Sequence, residues 1–406
     1  MTIRQFLLWT QHDSAGRRAE AASALARAYL YGGLDPEARW EAKTAVTALL
    51  DDASPLVRRA LAEAFANAAG APRPVVVALA QDVPEIAALV LARSPVLSDA
   101  DLVDCAAIGE EPARLAVAGR PSLSPMVCGA LAEIAGPAAL RALAANPGAA
   151  ITLGSLMRMV ERHGGDGALR EALLARPDLP LDVRQAVTAE LARSLSAFVV
   201  GCGWLSAERG ERVAREARER TTLGLAEGAA QEERRRLVAY LRRHGQLTAG
   251  LILRAMLSRQ MAFTETAFAD LSGLPGERVA ALLHDGRGQG FPALYRRAGL
   301  PAALEPAFAA AMSAWREEAD GLAAEAGPAL SRRMIERAAT ACAGLPFAES
   351  HAIVALLNRF EAEAARDEAR LVARTLADEA AVAAVLESIP AALIESYRQD
   401  RIRIAA

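Results

Sequence analysis

The stretch Leu91-Ala-Arg-Ser94-Pro95-Val-Leu97-Ser98-Asp-Ala-Asp101-Leu decides the fold, because its pattern returns along the chain. Prolines at Pro95, Pro121, Pro147 and Pro177 stand 26, 26 and 30 residues apart. Four residues before each lies an aliphatic side chain: Leu91, Val117, Leu143 or Leu173. Ser94, Arg120, Asn146 or Arg176 immediately precedes each proline, and Leu97, Leu123, Ala149 or Leu179 lies two residues after it. Ser98 and Ser124 then follow at a shared offset. Several positions recurring together at near-constant spacing mark an internal repeat.

Each unit reads as two short antiparallel helices. Ser98 can cap a helix, and Asp101 completes a capping box. Ser124-Pro125 sets a cap before a proline at the first helical position, where its missing N–H is harmless. The repeat proline ends the preceding helix because it supplies no donor. An earlier segment, Asp52-Ala-Ser54-Pro55-Leu-Val-Arg58-Arg59-Ala-Leu-Ala-Glu63, follows the same logic. There Leu56, Val57, Ala60, Leu61, Ala64 and Phe65 are expected on one apolar face, with Arg58, Arg59 and Glu63 facing water. Alanine at the contacts lets helix axes approach to the short end of about 8–10 Å. Such pairs cannot bury their faces alone, so they stack. The expectation is an all-α chain: N-terminal capping helices over 1–40, a right-handed HEAT-like α-solenoid over 41–195, and a docked C-terminal helical domain over 196–406. Composition agrees, with 53% hydrophobic and 4% aromatic residues in a chain of 406. The one β-branched run, Val75-Val76-Val77, continues into Ala-Leu-Ala instead of alternating with polar residues.

Asp52-Ala-Ser-Pro-Leu-Val-Arg-Arg-Ala-Leu-Ala, the Leu91 run and Ala144-Ala-Asn-Pro-Gly-Ala resemble an uncharacterised alphaproteobacterial family with HEAT-like helical repeats, domain of unknown function 2336. Ala280-Ala-Leu-Leu-His-Asp-Gly-Arg-Gly-Gln-Gly-Phe-Pro-Ala-Leu-Tyr-Arg-Arg-Ala-Gly-Leu-Pro301 resembles that family's C-terminal part. The resemblance spans most of the chain. It implies a fold and carries no reaction.

Past Gly201-Cys202-Gly203 the repeat prolines stop and helices lengthen. Gly273-Leu-Pro-Gly276, Gly286–Gly290 and Gly299-Leu-Pro301 read as turns, and helices are expected at roughly 303–320, 329–343, 348–377 and 380–397.

Most chemistry is excluded by composition and spacing. Of 46 basic residues only Lys43 is lysine, and it stands in no glycine-rich loop, so a P-loop is excluded. Four scattered cysteines, Cys105, Cys128, Cys202 and Cys342, make neither a disulfide framework nor a zinc ribbon. No apolar run approaches the roughly 18–20 residues that cross a bilayer, and the first residues lack a signal-peptide core, so a cytoplasmic location is expected. His284-Asp285 and His12-Asp13 invite comparison with metal phosphohydrolases. The five histidines, however, lie far apart without ligand spacing, and His284 suits a helix C-terminus. Cys202 lacks a partner base, and the Gly286–Gly290 loop lacks the preceding strand of a dinucleotide fingerprint. No catalytic residue, metal or cofactor is assigned.

Binding remains. Glu208–Arg243 holds ten arginines and seven glutamates. Arg209, Arg212, Arg215 and Arg218 share one broad helical face that can hold phosphate, as an anion, nucleotide or nucleic-acid site. The interleaved glutamates and a net charge of −3 favour a solvated, ion-paired surface instead. Trp9, Tyr29, Tyr31 and Trp40 either cap the open end of the stack or anchor a partner. The leading expectation is a non-enzymatic helical-repeat protein that binds another protein as scaffold or regulatory adaptor. Arg58, Arg59, Arg114 and Arg170 on the repeat helices are its expected partner surface.

Overall fold

The computed structural model describes residues 14–285, 290–319, 328–343 and 347–388. Among the described residues the chain is all-helical, with 21 α-helices and, in place of any strand, one isolated parallel bridge between Leu123 and Ala149. The chain divides into two compact units, residues 1–222 and 223–406.

The first unit holds α1 (Ala15–Tyr31), α2 (Pro36–Ala48), α3 (Pro55–Phe65), α4 (Arg73–Leu79), α5 (Pro84–Arg93), α6 (Asp99–Ile108) and α7 (Glu111–Ala118). It continues through α8 (Pro125–Ile134), α9 (Pro137–Ala145), α10 (Leu153–His163), α11 (Gly167–Leu174) and α12 (Leu181–Gly201) into α13 (Ala207–Ala226). The 195/196 position lies inside α12. Local chemistry starts these helices. Ser98 and Asp101 form a reciprocal capping box at α6, while Ser124, Thr152 and Asp166 accept N–H bonds in the first turns of α8, α10 and α11.

Two rows of helices result. α1, α3, α5, α7, α9 and α11 pack each on the next, and α6, α8, α10 and α12 form a second succession. The repeat positions are the seams between neighbours. Leu91, Val117, Leu143 and Leu173 are fully buried, as are Leu97, Leu123, Ala149 and Leu179 nearly so. A buried leucine of this kind contributes about 1.5–3 kcal/mol.

The residues before Pro121, Pro147 and Pro177 have a second task. Arg120 donates from Nη1 to Leu91 O (2.6 Å) and from Nη2 to Ser94 O (2.8 Å). Asn146 Nδ2 donates to Ala118 O (2.9 Å) and Arg120 O (2.7 Å). Arg176 Nη1 donates to Ala144 O (3.1 Å) and Asn146 O (3.2 Å). Each side chain thus reaches back one repeat and satisfies carbonyls at a helix end, which no intrahelical donor can reach. Glu111 does the complementary work, its carboxylate accepting from Gly136 N and Ala139 N at the start of α9 (2.9 and 3.1 Å). Between the loops, Leu123 N donates to Gly148 O and Ala150 N to Leu123 O, both at 3.0 Å. Gly148 permits this approach, since a Cβ there would stand 1.9 Å from Pro121 O.

The α3 face departs from the sequence expectation. Val57, Leu61, Ala62 and Phe65 are buried, whereas Leu56 is exposed. Arg58 does not face water either. Its side chain is 16% exposed, pairs with Asp82 at 2.7 Å and donates to Asp52 O. Asp82, from the loop before α5, supplies the partner that turns Arg58 inward.

The second unit contains α14 (Gln231–Arg243), α15 (Ala249–Leu257), α16 (Met261–Ser272), α17 (Gly276–His284), α18 (Gly290–Arg297), α19 (Glu305–Ala319), α20 (Pro328–Cys342) and α21 (Phe347–Ser388). Every residue of α15 from Leu251 to Leu257 is buried. Phe268, Phe291, Tyr295 and Phe308 cluster near it through edge and tilted ring contacts, the geometry aromatic pairs prefer. Tyr295 Oη donates to Pro301 O at 2.7 Å. Arg254, 6% exposed, pairs with Glu363 of α21 and lies 4.5 Å over the Phe360 ring. The last expected pair of helices is one. α21 runs unbroken through Asp378-Glu379, because no glycine or proline interrupts 347–388. Residues 389–397 lie outside the described residues.

Candidate interaction surface

α12 is the last helix of its row and the longest, with 21 residues against 10, 10 and 11 for α6, α8 and α10. Asp182, Val183, Gln185, Ala186, Val187 and Ala189 form its buried arc. On the opposite arc Leu191, Leu195 and Phe198 are exposed, Phe198 by 60%, and Trp204 just beyond the helix is 70% exposed. Phe198 and Trp204 meet edge to face, their centroids 6.0 Å apart. A contiguous apolar patch of this kind is rare on a solvated surface and common where another molecule docks. Cys202, on the same side, is the exposed cysteine. Burial pushes the thiols of Cys105, Cys128 and Cys342 up, that of Cys128 to about 11, leaving them protonated and inert.

α13 packs on another side of α12. A Cβ on Gly210 would come within 2.5 Å of Val200 Cγ2, so the glycine sets this close approach. Arg209, Arg212 and Arg215 point away from that contact and are exposed, while Arg218 is half-buried. Among the described residues none of the four makes a side-chain hydrogen bond or ion pair. Of the arginines farther along, four are engaged: Arg234 with Ala229 O, Arg235 with Glu232, Arg242 with Asp270 and Arg243 with Ala239 O.

The other candidate residues are spent on the fold to different degrees. Arg59 is exposed and pairs with Glu63 on its own helix. Arg114 donates to Ala106 O at 3.0 Å, and Arg170 to Gly164 O at 2.7 Å. Tyr29 is buried edge-on to Phe65 beneath Arg39, whereas Tyr31 and Trp40 are exposed. Trp9 and the His12-Asp13 pair lie outside the described residues. His284 ends α17, with Nε2 3.3 Å from Glu265 Oε1 and its ring against Trp315. Among the described residues no group of three or more His, Cys, Asp or Glu side chains is arranged to hold a metal.

A cleft of about 780 Å³ lies between α14, α16 and α17. Arg235, Arg236, Glu265, Asp270 and Glu277 line it with both signs of charge, so it selects for neither. Among the described residues no helix is long and apolar enough to cross a membrane. A model of the family DUF2336, described as an uncharacterised protein conserved in bacteria, matches residues 86–348, from α5 to the start of α21. No curated protein matches the chain, and no solved structure does.

Proposed function

The chain belongs to the bacterial family DUF2336, and on that premise we propose that it is a non-enzymatic helical-repeat protein that binds another protein, as scaffold or regulatory adaptor, in the cytoplasm. In this reading the first unit is a HEAT-like α-solenoid whose successive pairs present an extended surface. One observation carries it: the outer face of α12, where Leu191, Leu195, Phe198 and Trp204 stand uncovered together. Aromatic side chains in such patches dominate the energetics of protein interfaces. Capture of the tagged full chain from its native bacterium tests the reading. A stoichiometric partner is expected, retained by the unaltered protein and lost from Phe198→Ser and Trp204→Ser. Recovery of free monomer alone, under gentle conditions across growth phases, would rule it out.

The exposed, unpaired Arg209, Arg212 and Arg215 favour a second reading, nucleic-acid or nucleotide binding along α13. Its signature is affinity for a labelled duplex or a cyclic nucleotide that falls with added salt and with Arg212→Gln. Absence of binding at low salt removes it.

A further inference from the structure

Arg184, Thr188, Leu191, Leu195, Phe198 and Cys202 follow one another at steps of 4, 3, 4, 3 and 4 residues, so they form one straight stripe along α12. The stripe is roughly 27 Å long, about five helical turns. Its far end is apolar and exposed, whereas Arg184 and Thr188 at the near end are half-buried. Thr188 is satisfied, its hydroxyl donating to Gln185 O. Arg184 is not. Its Nε is closed off from solvent without an acceptor, and its guanidinium has no hydrogen-bond or ion-pair partner among the described residues. A buried donor left unpaired is uncommon enough to need a cause.

The geometry points to an amphipathic helix carrying a carboxylate as the occupant of this stripe. The inference rests on the protein-binding function proposed for the same face and adds the chemistry of the partner. Two observations select it. α6 is covered by α8, α8 by α10 and α10 by α12, so the outward side of α12 is where one more helix would continue the row. The unpaired Arg184 asks for an acid at one end, because a guanidinium fork and a carboxylate share two parallel N–H···O bonds. The expected partner segment has apolar residues at i, i+3 or i+4 and i+7 spacing, with Asp or Glu beyond one end of them. Pairing of this stripe with itself in a second copy does not supply this. The stripe itself contains no carboxylate, and antiparallel pairing about its centre sets Arg184 against Cys202.

The probe is a displayed library of 20-residue helices with a fixed apolar stripe and all other positions randomised, selected on the full chain. Enrichment of Asp or Glu at one fixed end of the stripe is expected. Binding of enriched peptides should weaken about tenfold or more in Arg184→Gln and be lost in Phe198→Ser, with Trp204→Ser as a second variant. Circular dichroism and thermal melting establish that each variant folds. Peptides without acidic bias, or indifferent to Arg184→Gln, overturn the inference while leaving protein binding by the stripe intact. No enrichment over Phe198→Ser overturns it as well. So does a dimer by sedimentation equilibrium that Phe198→Ser dissociates, or binding to phosphatidylglycerol vesicles that enriched peptides fail to displace.

Discussion

Asn146 illustrates how much one side chain does at a turn of this chain. Its Nδ2 bonds two carbonyls of the preceding repeat, and its Oδ1 accepts the Gly148 N–H at 2.9 Å. Removing it strands three polar groups, so Asn146→Ala should lower unfolding stability by about 2 kcal/mol or more in urea titration. Gly148→Ala should cost a similar amount for a different reason, since its methyl has no room beside Pro121 O. The positions themselves were legible, because a polar residue before a recurring proline is visible in a string of letters. Their task was not. Asn146 matches Arg120 and Arg176 in neither charge nor size, and only the reach across a repeat unites the three. Arg58 misled for the related reason that its partner, Asp82, lies 24 residues downstream.

Among the elements, helix starts read well and helix faces less so. Capping chemistry is local, and Ser98, Asp101 and Ser124 behave as their neighbours dictate. Leu191, Leu195 and Phe198, by contrast, have the spacing of a core stripe, and burial is decided by whether a neighbour exists. α21 extends past the expected break for want of a breaker, and its hold on the second unit is partly polar. Arg254 is buried within α15, so taking away Glu363 removes an ion-pair partner from a buried charge. Glu363→Ala should therefore destabilise the second unit by about 2 kcal/mol in chemical denaturation. Replacing both partners, as Arg254→Met with Glu363→Leu, should restore most of that loss.

Across the molecule, the near-absence of lysine has a structural use. Arginine forks bond carbonyls and carboxylates at fixed angles, and Arg18–Asp52, Arg58–Asp82 and Arg73–Asp101 tie successive segments of the first unit at 2.8, 2.7 and 2.7 Å. The Arg18 guanidinium holds the Asp52 carboxyl below its ordinary range. Burial pushes Asp82 and Asp101 upward, but bonds from Arg58 and Val83 N–H, and from Ser98 and Arg73, bring both below it. Carboxyls lowered by folding stabilise fully above their unfolded value, about 4, and lose that contribution as pH falls through the folded values. The urea midpoint should hold steady from neutral pH to about 5 and fall below about 4, with a shallower fall in Arg58→Ala. These ties and the clasps before Pro121, Pro147 and Pro177 join only adjacent repeats, and that sets how the first unit yields to force. Pulled from its ends, it has no bond among the described residues that spans several repeats, so it should release in short, even steps of one repeat each. Loss of the Asn146 clasp would fix where the first step falls.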